Sequence, residues 1–135
     1  MMNLNKALIA GLVGGIVLAV YNFIVHGLIM ANTYTKYEAV FRKDASMYWF
    51  PILAILLVIA AALFFAKSRG SWEAGAKGGM MFGFWIGLLA FLAQFYNPLV
   101  FNGFPYFLSW CWGAINLIGW VIAGAVIGTM YKAEA

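Results

Sequence analysis

The sequence predicts an all-α integral membrane protein, a single domain spanning residues 1–135 and built as an up-down bundle of four transmembrane helices. Three observations carry this. Of the 135 residues, 66 % are hydrophobic, about 89 side chains, against roughly 45–50 % in a soluble domain. Only 9 % are charged, too few to coat a water-soluble surface. Runs free of Asp, Glu, Lys and Arg cover 7–35, 45–66 and 78–131. At about 20 apolar residues per span, that hydrophobic content makes about four helices. A soluble enzyme, a nucleic-acid-binding domain and a disulfide-stapled secreted scaffold are excluded. The net charge of +4 is the ordinary Lys/Arg bias of membrane-protein loops and calls for no nucleic-acid partner. Cys111 is the one cysteine, so no internal disulfide and no CxxC pair exists.

The first helix is expected at about 7–31. Its apolar run continues to Met30, beyond the roughly 7–15 residues of a signal-peptide core, so it reads as a retained first span. Between about 33 and 44 Tyr34, Tyr37 and Phe41 recur at helical spacing, with Lys36, Arg42, Lys43 and Asp44 mostly off that stripe. This pattern suits a short amphipathic segment in the interface, or a plain connector with anchoring tyrosines. The second helix is expected at about 47–66. A tight turn follows, with Ser71 as N-cap and Glu73 in the first turn of a third helix at about 76–96. Asn97-Pro98 and Gly103-Phe104-Pro105 break the longest charge-free run, because proline lacks the backbone donor and disfavours helix before it. The uncharged loop 97–105 is greasy enough to fold back on the bundle mouth or to anchor in the interface. The fourth helix is expected at about 106–131.

Orientation follows from Lys and Arg. One side carries Lys6, Lys67, Arg69, Lys77 and Lys132, the other Lys36, Arg42 and Lys43. Five against three places both termini in the cytoplasm of a cell whose inner (plasma) membrane holds the chain.

Small residues recur every four positions. Gly75, Gly79, Gly83 and Gly87 mark the third helix, Ala7, Gly11, Gly15 and Ala19 the first, and Gly124 and Gly128 the fourth. Residues four apart share a helix face, and small ones let backbones approach closely in lipid, a glycine-zipper pattern. The first and third helices match at an offset of 68, which suggests a duplicated hairpin and pairs His26 with Gln94. Packing within the monomer and packing between copies are both open.

No Lys, Arg, Asp or Glu sits deep in a span, which argues against a proton-coupled pump. The polar residues left there are Asn22, His26, Gln94, Cys111 and Asn116. At about 1.5 Å per residue, His26 and Cys111 lie about 7 Å below the outer helix ends, and Asn22 and Asn116 about 14 Å. Asn22 and His26 continue the small-residue stripe of the first helix, and Gln94 that of the third. The five form a candidate ligand-binding cluster around His26 in the outer half. Interhelical hydrogen bonding accounts for the same residues without any ligand. His26, Met30 and Cys111 would suit a soft metal such as Cu(I), but the set is thin, and no metal or cofactor is expected.

The layout resembles the small four-helix inner-membrane proteins of bacteria. The resemblance rests on the Gly-rich first helix ending in Tyr21-Asn22 and His26, the Gly-rich third helix, Asn97-Pro98, and the Trp-rich fourth helix ending in 128–132. It spans most of the chain and implies no activity. Small multidrug exporters carry a glutamate in the first span, and vitamin-K-epoxide-reductase-like proteins a cysteine pair; this chain has neither. Glutathione-linked membrane enzymes use arginines at span ends, a place taken here by Arg69 alone.

The expected function is non-enzymatic: an accessory or assembly subunit, or a self-associating scaffold held by glycine faces. The partners are the lipid bilayer and either a homo-oligomer or a larger membrane complex. The alternative is a small transporter, or a protein binding a lipid, quinone or other small molecule at the cluster around His26.

Overall fold

The computed structural model describes residues 1–132, and every regular element among them is helical. Helix α1 runs Leu4–Asn22. It starts earlier than the charge pattern predicts because Asn3 caps it, its side-chain oxygen accepting the Lys6 N–H at 3.0 Å. That capping tolerates Lys6 inside the first turn. The rod continues as a π-helical segment, Phe23–Ile29. Helix α2 (Ala31–Lys36) and a 3-10 turn (Glu38–Val40) follow, so the expected interfacial segment starts sooner and its helix stops at Lys36.

Helix α3 is Trp49–Lys67, with Pro51 in its first turn, where no intrahelical donor is required. A 3-10 turn, Arg69–Ser71, leads toward α4 (Ala76–Ala93). The cap expected at Ser71 lies elsewhere: Gly75 is the N-cap, at φ +81°. Only glycine enters that conformation without strain. Glu73 therefore stays outside the helix and reaches forward to Lys77, with N···O at 2.9 Å.

α4 ends at Ala93, and a separate short helix α5 (Tyr96–Val100) takes up part of the uncharged loop. Gly103, at φ +76°, turns the chain into α6 (Tyr106–Met130). Four helical stretches, Leu4–Ile29, Trp49–Lys67, Ala76–Val100 and Tyr106–Met130, are long and apolar enough to cross a membrane. A lipid bilayer is the environment such a surface requires, because large side chains such as Ile9, Leu56, Leu89 and Ile118 point outward all around it.

The closest pairs are α1 with α3 and α4 with α6, and α1 also lies along α6. The buried core between them is made largely of small side chains: Ala7, Ala10, Ala54, Ala62 and Ala123, with Val58 and Ile127. Larger rings fill the end where the chain's beginning meets the end of α6. Phe65 and Phe82 meet edge to face at 5.2 Å between centroids, with Trp72 against Phe82 at 5.4 Å and Tyr131 against Phe65 at 6.4 Å. These aromatics bridge α3, α4 and α6, where the backbones are too far apart for small residues to fill the gap.

Candidate functional site

The glycines set how close the helices come. A Cβ on Gly79 would lie 2.8 Å from the Gly128 Cα, and one on Gly124 would lie 2.9 Å from the Gly83 Cα. On Gly87 it would lie 2.9 Å from the Leu117 Cα. Along α1, Gly11 and Gly15 approach α3 so that a Cβ on either would lie 2.6 Å from the Cα of Ile59 or Ile55. Real Cβ atoms do not come this close to backbone, so these five positions and Gly128 admit no side chain without parting the helices. Gly75 differs. A Cβ there meets nothing within 4 Å, and the residue serves the turn through its positive φ. Glycines outside the four-residue stripes also lie at helix contacts: Gly14 faces Val58 and Ala123, Gly113 faces Phe91, and Gly119 faces Leu18 and Tyr21.

The polar residues named from sequence separate into groups. His26 sits on the π-helical segment, half-buried, and its Nδ1 is hydrogen-bonded to the Tyr34 hydroxyl. The Trp112 indole N–H donates to the same hydroxyl oxygen at 2.8 Å. One hydroxyl thus serves both partners, since it carries one proton and two lone pairs. Tyr34 thus ties α2 to both α1 and α6. Phe41 packs edge-on to Tyr34 at 5.2 Å, and Phe104 to Trp112 at 5.4 Å. Burial pushes the Tyr34 phenol above its ordinary value, opposed by the Trp112 hydrogen bond and reinforced by Cys111 nearby.

Gln94 belongs to a different group. Its side-chain oxygen accepts from Asn97 at 3.3 Å, and its carbonyl accepts from the buried Ser109 hydroxyl at 3.0 Å. Asn22 and Asn116 are half-buried and make no side-chain hydrogen bond among the described residues. Tyr21, one turn from the π-helical segment, donates instead to the Ile115 carbonyl at 2.9 Å. The structure therefore puts His26 with Tyr34 and Trp112, and Gln94 with Asn97 and Ser109. The signal for Tyr34 lay in its place on the apolar stripe of 33–44. Nothing local marked Trp112, which pairs with it across 78 residues.

Two clefts open at opposite ends. One, about 490 Å³, runs beside Tyr34 and is lined also by Thr35, Glu38, Phe41, Arg42 and Lys43. The other, about 500 Å³, lies where Lys6, Lys67, Arg69, Tyr131 and Lys132 converge. Among the described residues no group of three or more His, Cys, Asp or Glu side chains is placed to hold a metal ion. Compared with protein families, curated proteins and solved structures, the chain matches none.

Proposed function

We propose that the chain is a non-enzymatic membrane protein acting as an accessory or assembly subunit in the inner membrane, with both termini cytoplasmic. The observation that carries this reading is how the polar group at His26 is used. Its Nδ1 and the Trp112 indole N–H both bond to the Tyr34 hydroxyl and pin α2 over the bundle. That is the construction of a rigid body and not of an open binding chamber. The tightest glycine contacts lie between helices of one copy, so assembly would use the outward apolar surface and not the faces of Gly79, Gly83 and Gly124. A second reading, binding of a small molecule, is supported by the cleft beside Tyr34.

Native mass spectrometry from nanodiscs of the host's own lipids separates the two. The assembly reading expects a multimer or a fixed-stoichiometry complex that persists in His26→Ala. A monomer carrying a reproducible small-molecule adduct, lost in His26→Ala, overturns it in favour of the second.

A further inference from the structure

The cleft at the end of the molecule away from His26 has a chemistry the assembly reading does not use. Lys6 on the first turn of α1, Lys67 at the end of α3, Arg69 in the following turn and Lys132 just beyond α6 all line it. These positions are spread over 126 residues of sequence, yet the fold brings four cations to one opening. Among the described residues no carboxylate lines it. Glu73, three residues beyond Gly70 of the lining, is engaged by Lys77. Four like charges around one space repel one another, and a bound anion relieves that cost.

The walls are held in place. The Asn3 N–H donates to the Tyr131 hydroxyl at 2.9 Å, which closes the start of α1 onto the end of α6. Tyr131 is only 6 % exposed, and its own hydroxyl proton has no acceptor among the described residues. Arg69 donates to the Trp72 carbonyl and lies over the Phe65 ring, its guanidinium carbon 5.7 Å from the centroid. Its Nε–H is buried without an acceptor among the described residues. Among the described residues the Tyr131 hydroxyl proton and the Arg69 Nε–H thus have no acceptor, and both residues line the cleft, where an oxyanion is the complementary partner.

The cleft lies at the ends of three helices long and apolar enough to cross a membrane, so a bilayer spanned by them sets its headgroups at that level. Basic openings between helix ends at that level hold phosphate headgroups. We propose that this cleft binds a phosphate group, carried either by an anionic phospholipid or by a soluble phosphate anion. The opening is large enough for such a group, within the roughly 300–1,000 Å³ usual for small-ligand sites.

The full chain in phosphatidylcholine nanodiscs provides the test. In one arm phosphatidylglycerol is titrated in, and lipid retained under gentle activation is counted by native mass spectrometry. In the other, inorganic phosphate is added to neutral nanodiscs and the thermal midpoint is followed. The three lysines are removed together as Lys6→Gln, Lys67→Gln and Lys132→Gln, which spares the packed Arg69. Lys36→Gln with Lys43→Gln, at the opposite end, is the control.

Retention of one phosphatidylglycerol, weakened about tenfold or more in the triple variant and unchanged in the control, supports the site with lipid as its source. A midpoint raised by phosphate, with the same variant pattern, supports it with a soluble anion as its source. Binding in neither arm, binding unchanged in the triple variant, or equal loss in the control overturns it. The result is independent of the assembly reading, whose test concerns His26 and subunit mass.

Discussion

At the scale of single residues, Tyr34 joins more of the fold than any other hydroxyl described above. Its hydroxyl serves two partners on two different helices, so Tyr34→Phe removes both hydrogen bonds while keeping the ring that packs on Phe41. Interhelical bonds of this kind contribute about 0.6–2 kcal/mol each, and the leftover Trp112 N–H adds a desolvation cost. We expect the variant to lose about 1–3 kcal/mol in a detergent unfolding titration; an unchanged midpoint would show that the pair does not hold the cap. The phenol also sets a pH dependence. Its folded pKa is raised above the unfolded value of about 10, so its contribution is complete below that value and is lost as pH rises through the folded pKa. As pH rises above about 10 wild type should therefore lose more stability than Tyr34→Phe, read from the difference between their midpoints. His26 was legible in the sequence as the single histidine of a span. Its partners were not, because hydrogen bonds spanning 8 and 78 residues leave no periodic trace.

At the scale of elements, four-residue glycine spacing revealed the faces of α1, α4 and α6 but not which face met which. Spacing encodes a stripe, and only the three-dimensional crossing assigns its partner. The contact geometry makes the assignment testable. A side chain at Gly83 would drive a Cβ to 2.8 Å from the Trp120 carbonyl carbon and 3.1 Å from the Val121 Cα, both backbone atoms. Gly83→Leu should cost about 3 kcal/mol or more, the upper end of overpacking, since no rotamer relieves a backbone clash. Gly70→Ala, with nothing within 4 Å, should stay within about 0.5 kcal/mol of wild type in the same denaturation series. Equal behaviour of the two variants would contradict the α4–α6 contact. The spans themselves were readable because charges and prolines punctuate them. Their ends moved by a few residues wherever a local device intervened: the Asn3 cap on α1, the π-helical extension, and the positive φ of Gly75.

At the scale of the whole molecule, the bond between Asn3 and Tyr131 puts the start of α1 beside the end of α6. In the orientation proposed from the Lys and Arg balance, that end faces the cytoplasm. A fluorescent protein fused after the last residue should then be bright, and alkaline phosphatase inserted after Ser46 should be active; the reverse pattern would turn the molecule over. The pairing of helices has a further consequence, in time. α1 lies against the long helix that follows it, and α4 against the long helix that follows it in turn. Each tight pair is therefore complete once its second member has been synthesised, before any distant partner is needed. The later pair then docks through α6, where Tyr21 reaches the Ile115 carbonyl and Gly14 admits Ala123. Such a chain can assemble in the order in which it is made, half by half, and no helix must wait unpaired in the lipid for the protein's last residue.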